Sequence, residues 1–454
     1  MIILIVVSIE ILINGILKNC INFNGINQVL LCIINFLILY YIIFKNNIIS
    51  KRQKRILSIA LLCRIVCLFI DEFCFRIPLN NDDAANFDEI AKTISKNMNI
   101  LLENNIYGGM YSKFLGVIYY CFGNARLFSE SINVIFSFET MYLIYTVINK
   151  RIFKNDKVKL LLELFVSFFP LTIIFSVCLM REAVTIFLIT LSLKYCIDYL
   201  EKNKFYQIFI SFCSIMIATM LHSGNIFIII GYVLVFSFYN FKEKKVKLKI
   251  KSFVIFIITI GIIVSIIFLF PNIFFTKFAI EMRSNEKKQE NEIHLSENIE
   301  QENIEYTGFK KNLKNNPVTR AIEKEGRGNS VYIGKRTVNN IGDFILYSCE
   351  KVIYFMFAPM PWNWRGIFDF IVFFSDSCIY LICIISILYK IPKLGKNKCI
   401  LVLFLLIGII LTIALYSIGT SNAGTALRHR HKFLYYLIIM SVLCNTEKVR
   451  NLNA

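Results

Sequence analysis

Phe253–Phe270 reads FVIFIITIGIIVSIIFLF, directly behind Lys242, Lys244, Lys245, Lys247, Lys249 and Lys251. A helix of about 20 apolar residues matches the hydrocarbon thickness of a bilayer. Cys399–Ile418 (CILVLFLLIGIILTIALYSI) repeats the arrangement behind Lys393, Lys396 and Lys398. A soluble helix of this length would instead alternate apolar and polar faces. Backbone in lipid must satisfy its own hydrogen bonds, which makes the helix the default. A β-barrel would need segments of about 10 residues alternating in polarity, and the sequence shows none. Because apolar runs recur along nearly the whole chain, the fold class is all-α, a polytopic transmembrane helix bundle.

The net charge of +19 over 454 residues does not point to nucleic acid, since the cations sit in short clusters between apolar runs. Besides the two clusters above, these are Lys51, Arg52, Lys54 and Arg55, then Lys150, Arg151, Lys154, Lys157 and Lys159. Clusters of this kind mark cytoplasmic loops and bring contacts with anionic membrane lipid. Cysteines are scattered within apolar runs; Cys63 and Cys67 share a helix face without a zinc-site pattern, and read as small hydrophobes. The run Ile2–Leu17 lacks a basic start and a small-residue cleavage site, so it reads as a retained helix. The expected location is the plasma (inner) membrane of a bacterium.

Walking between the basic clusters gives about twelve spans: 2–18, 28–44, 56–72, 127–148, 158–178, 183–200, 206–221, 225–241, 252–271, 366–389, 399–419 and 433–444. Both termini are then cytoplasmic, and two sizeable segments lie outside the cell. The organisation is 1–55, two N-terminal helices; 56–271, a membrane core with an acidic outer loop over 71–126; 272–365, an extracytoplasmic loop; and 366–454, the C-terminal helices. Phe344–Phe357 is apolar but is read as a helix lying in the outer interface, because a span there would invert everything after it. Pro359, Pro361, Trp362 and Trp364 follow it, as an interfacial belt would. The stretch Glu290–Glu305 is polar enough to stay disordered. No internal repeat is visible.

Four polar constellations fall at outer span ends. Asn80-Asn81-Asp82-Asp83-Ala84-Ala85-Asn86-Phe87-Asp88-Glu89 offers carboxylates just beyond a membrane exit. They suit a general base or a divalent cation, or simply favour a helix N-terminus. Met180-Arg181-Glu182 offers a guanidinium whose fork of donors suits phosphate; an interfacial ion pair is the plainer reading. Leu221-His222-Ser223-Gly224-Asn225 is a tight turn carrying one of only four histidines. Gly419-Thr420-Ser421-Asn422-Ala423-Gly424-Thr425-Ala426-Leu427-Arg428-His429-Arg430-His431-Lys432 places positive charge outside, against the usual bias. An anionic ligand such as a polyprenyl phosphate or diphosphate gives such a cluster a reason. Arg64 and Glu139 sit inside spans and need partners, and Asp369 and Asp376 share a helix face.

Asp82-Asp83-Ala84-Ala85-Asn86-Phe87, Tyr111–Asn133, Phe169-Pro170 through Arg181-Glu182 to His222-Ser223-Gly224, and Gly424–Arg430 together resemble bacterial polytopic glycosyltransferases of the C type and the membrane polymerases of surface-polysaccharide clusters. The match runs over residues 56 to 445, and the order of the motifs carries it more than any one of them. The resemblance implies a lipid-linked sugar donor, one displacement at the anomeric carbon and an outer-loop carboxylate as base. Carried onto this chain, Asp82 and Asp83 are the base candidates. Arg428 and Arg430 neutralise the leaving phosphate, helped by Arg181 with Glu182 and by His222, and Trp362 holds the glycan acceptor. No cofactor is implied, although a divalent cation fits the carboxylates. The strict transferase pattern starts with the helix that leads into the acidic loop, whereas here two further helices precede that helix, which favours the polymerase-like reading. The expectation is that Asp82 or Asp83, Arg181, His222 and Arg428 converge on one outer cavity. The main rival is a flippase or transporter of lipid-linked oligosaccharide, which should carry charge along a central path; a sensor or scaffold subunit is the third reading.

Overall fold

The computed structural model describes residues 25–45, 47–77, 80, 82–103, 106–240, 245–247, 250–269, 331–333, 337–338 and 340–448. The expected helix 2–18 and the acidic stretch 290–305 lie outside them. Among the described residues the protein is built from helices, with only two short two-stranded ribbons. Among the described residues six runs are long and apolar enough to cross a membrane: Gln28–Lys45, Arg126–Asn149, Asp156–Val177, Glu182–Lys202, Ile367–Lys393 and Lys396–Ile418. Three shorter apolar helices join them, Phe205–Leu221, Ser223–Phe238 and Leu434–Asn445.

The chain forms two compact units, Met1–His222 with Thr446–Ala454, and Ser223–Asn445. Unit 1 contains α1 (Gly25–Lys45), α2 (Lys51–Phe73), α3 (Asp82–Lys96), α4 (Met110–Phe122), α5 (Arg126–Asn149), α6 (Asp156–Phe168), α7 (Pro170–Val177), α8 (Glu182–Lys202) and α9 (Phe205–Leu221). Its centre is α5, which packs against α1, α2, α7 and α8, and α9 packs on α8. Local chemistry sets several boundaries. Ser50 and Gln53 make a reciprocal capping box at the start of α2. Asn155 caps α6, accepting from the Lys157 N–H at 2.8 Å. The span expected over 158–178 is two helices in series, because Pro170 has no N–H to continue α6 and serves as the first residue of α7. The ribbon Arg151–Ile152 pairs with Glu447–Lys448 of the C-terminal tail.

The loop expected between α2 and α5 is folded as a helical hairpin. Asp82 opens α3, and Ala84, Phe87, Ala91 and Ile94 line its buried face at helical spacing. Against them α4 sets Tyr111, Leu115, Ile118 and Phe122. The turn into α4 uses Gly108 at φ +79, where a Cβ would stand 2.4 Å from the Phe87 ring.

Unit 2 contains a short 3₁₀ turn, Ser223–Phe227, then α10 (Ile228–Phe238), α11 (Ile250–Leu269), α12 (Ile341–Phe357), α13 (Ile367–Val372), α14 (Cys378–Lys390), α15 (Lys396–Ile418), α16 (Ala423–His431) and α17 (Leu434–Asn445). A π-helical turn, Phe373–Ser377, joins α13 to α14. Gly231 and Gly408 let α10 and α15 pack backbone to backbone: a Cβ on Gly231 would meet the Phe404 carbonyl oxygen at 2.8 Å. The expected interfacial helix is α12, capped by Asn340, which accepts from the Asp343 N–H at 2.8 Å.

Candidate functional site

In unit 1 the polar groups gather where α2 ends and α5 begins. Asp71, buried in the last turn of α2, accepts from Arg76 Nη1 at 2.9 Å, from the Ile77 N–H at 2.6 Å and from Asn80 Nδ2 at 2.6 Å. Asn80 Nδ2 also reaches Glu130 Oε1 at 3.1 Å. Glu130 takes a second donor, Arg126 Nε, at 3.0 Å. Arg126 lies 3.7 Å from Asp88 Oδ2, and Asp88 accepts from Lys92 at 2.7 Å and from the Tyr119 hydroxyl at 2.5 Å. Burial, with Asp88 alongside, pushes the Tyr119 hydroxyl up from its ordinary range. Burial lowers the Arg76 guanidinium, but the Asp71 and Glu72 carboxylates outweigh it, and the balance is upward.

Of the predicted carboxylates, Asp83 is half-buried and accepts from the Tyr107 hydroxyl. Asp82 is the first residue of α3, and its side chain lies outside the description. Both stand at a helix N-terminus, where negative charge is favoured.

The Met180-Arg181-Glu182 turn is pinned from two sides. Asn80 Oδ1 accepts from the Leu179 N–H at 3.0 Å, and Asn133 Nδ2 donates to the carbonyls of Cys178 at 2.8 Å and Met180 at 3.0 Å. Arg181 then donates from Nη1 to the Leu221 carbonyl at 2.9 Å, beside His222. Its Nε is buried with no hydrogen-bond partner among the described residues. Glu182 is fully buried in the first turn of α8. The acidic segment, the Arg181 turn and the His222 turn therefore belong to one hydrogen-bonded assembly within unit 1.

Arg428, Arg430 and Trp362 belong to unit 2. Arg430 is fully buried, and all three of its side-chain nitrogens are committed there. Nε donates to Asp376 Oδ2 at 2.7 Å, Nη1 to the Ala358 carbonyl at 2.6 Å, and Nη2 to Ser377 Oγ at 3.0 Å and to Asp376. The π-helical turn presents Asp376 and Ser377 to it, a role for Asp376 that sequence spacing did not reveal.

Other cations of unit 2 surround the end of α15. Lys351 donates to the Ile418 carbonyl at 2.9 Å and to Ser421 Oγ at 3.2 Å. Burial pushes its ammonium down to about 8. The His429 ring meets Tyr416 edge-on at 5.3 Å, and Lys432 sits 5.3 Å from the centre of that same ring. Arg428 is half-buried on α16, next to His429 in the chain. Tyr354 lies one turn beyond Lys351 on α12, stacked on Tyr332 with centroids 5.5 Å apart. Its hydroxyl accepts from the Trp362 indole N–H at 3.1 Å, and Trp362 is 71% exposed.

Among the described residues no group of three or more His, Cys, Asp or Glu side chains is gathered to hold a metal ion. The residues that sequence reasoning did not single out are Asp71, Asn80, Arg126, Glu130 and Lys351. Asn80 stood in the quoted acidic stretch, but its partners lie 50 and 99 residues away in the chain. Comparison of the chain with protein-family models, with curated proteins and with solved structures finds no match.

Proposed function

We propose that the chain is an integral membrane glycosyltransferase or polysaccharide polymerase of the bacterial plasma membrane. In this reading it has about twelve spans, with 71–126 and 272–365 on the outer face, and it uses a polyprenyl-(di)phosphate-linked sugar to build a cell-surface glycan. The observation that supports it best is the single assembly in unit 1 that ties the acidic segment to the Arg181 turn, whose guanidinium donates to the Leu221 carbonyl next to His222 in the chain. A base and phosphate-binding cations are the two complementary needs of glycosyl transfer from a lipid phosphate.

In this reaction an acceptor hydroxyl oxygen attacks the anomeric carbon, and Asp82 or Asp83 takes its proton. The bond from that carbon to the phosphate oxygen breaks, and the phosphate leaves with the electron pair. Negative charge grows on the phosphate in the transition state, where preorganised donors act most strongly. Arg181, whose Nε has no hydrogen-bond partner among the described residues, and His222 supply such donors. In unit 2, Lys351, Arg428, His429 and Lys432 give a second set suited to an anionic headgroup, and the exposed Trp362 face suits a glycan ring.

Steady-state transfer from a synthetic lipid-linked sugar tests the assignment. Arg181→Lys and Arg428→Lys keep charge but lose the guanidinium fork, and each is expected to lower kcat/KM about tenfold, or about 1.4 kcal/mol. Unchanged kinetics in both variants would remove the phosphate-holding role.

A further inference from the structure

We propose that Asn80 is a positioning residue, an amide bridge that fixes the acidic helix against the Arg181 turn by donating between two carboxylates. The proposal rests on the glycosyl-transfer reading of the same site. Asn80 is 1% exposed, and each of its side-chain atoms is used. Nδ2 donates to Asp71 at 2.6 Å and to Glu130 at 3.1 Å, while Oδ1 accepts from the Leu179 N–H at 3.0 Å. Its own carbonyl accepts from Arg126 Nη2 at 3.3 Å. One side chain thus joins the end of α2, the start of α5 and the turn that leads into Arg181, two residues before Asp82.

The bridge depends on the amide's protons. Asp71 and Glu130 both face Asn80 with oxygens, so a third acceptor in its place would leave carboxylates confronting one another. The surrounding charges are Asp71, Glu72 and Arg76 from α2 and the strand of chain after it, Asp88 and Lys92 from α3, Arg126 and Glu130 from α5, and Arg181 and Glu182 beyond the Leu179 turn. Arg76 and Arg126 already bind Asp71 and Glu130, so neither replaces the missing donor. Glu130 meets Asn80 through Oε1, while Oε2 has no hydrogen-bond partner among the described residues, so a glutamine there can turn its Nε2 toward position 80 without breaking a bond at the other oxygen.

Asn80→Asp keeps the size of the side chain and its acceptor for Leu179, but loses the donor unless it is protonated. The purified full-length protein is compared with this variant from pH 8 to pH 5.5 in transfer from a synthetic polyprenyl-diphosphate sugar and in thermal unfolding. At pH 8 the variant is expected to lose at least tenfold in kcat, with KM for the donor changed less than twofold. The ratio of variant to native turnover should then rise about tenfold toward pH 5.5, as the new carboxyl gains a proton and donates again. The double variant Asn80→Asp/Glu130→Gln supplies an amide from the other side and should recover turnover at pH 8. A ratio flat with pH, or a double variant no better than the single one, would overturn the bridge. If the native protein transfers no sugar, the glycosyl-transfer reading falls. The bridge is then judged by unfolding alone: a gap between variant and native midpoints that narrows at pH 5.5 upholds it, and a constant or absent gap overturns it.

Discussion

Arg430 on α16 and Asp376 in the π-helical turn, 54 residues apart in the chain, form an ion pair with both side chains wholly removed from solvent. Desolvating two charges is costly, and removing one partner leaves the other uncompensated, at about 3–5 kcal/mol. Asp376→Leu should therefore destabilise the protein by about that amount. Arg430→Met combined with Asp376→Leu should cost less than either single change. Denaturant unfolding in detergent checks this; single variants as stable as the native protein would show that the pair does not hold unit 2 together.

The α10–α15 contact gives a second stability prediction. A Cβ on Gly408 would stand 2.9 Å from the Ile228 carbonyl oxygen, and backbone yields little. Gly408→Ala should cost about 1–3 kcal/mol through overpacking. Gly395→Ala, where no atom stands within 4 Å of the added Cβ, serves as the control and should cost much less.

Lys351 carries a pH prediction. Burial pushes its ammonium down to about 8, against an ordinary value of 10.5. Between these values the unfolded chain binds more protons than the native one, so stability rises with pH across that window. Below about 8 the buried charge is present in full and its cost is constant. The same proton governs anion binding: affinity for a short-chain polyprenyl phosphate should be greatest below pH 8 and fall as pH passes through it. Lys351→Met should weaken binding at pH 7 and flatten the pH profile. A native profile already flat from pH 7 to 9.5 would exclude Lys351 from the anion site.

The apolar runs were legible because length and composition are local properties. Arg126–Asn149 and Lys396–Ile418 lie close to the stretches read from the sequence. Asp82 as a helix start was legible for the same reason. The break at Phe169–Pro170 was hidden inside an apolar run, and only the missing proline N–H gives it away. Pairings were not legible. Nothing in the spacing of Asp71, Asn80, Glu130 and Leu179 says that they meet, and the partners of Arg430 depend on a π-helical turn that rotates Asp376 and Ser377 toward it. Charge along the chain shows where an assembly can form; packing decides which charges are spent within it.

Topology is open to direct labelling. Single cysteines at Lys247 and Lys54 should react only with membrane-permeant thiol reagents in intact cells, whereas one at Glu89, exposed on α3, should react with impermeant ones. Labelling at position 247 by an impermeant reagent would reverse the assigned orientation.

If the protein transfers a sugar from a lipid phosphate as proposed, the carboxylates that open α3 act in the chemical step. The most direct measurement is turnover of a radiolabelled polyprenyl-diphosphate sugar by the purified protein in proteoliposomes, alongside Asp82→Asn, Asp83→Asn and the double variant. The native protein is expected to form an elongated glycan and release the lipid phosphate. Turnover by the double variant is expected to fall at least a thousandfold, about 4 kcal/mol in the barrier, while the variant still binds lipid phosphate. Full activity in the double variant, or movement of the intact lipid-linked sugar across the bilayer with no glycan formed, would contradict the proposal.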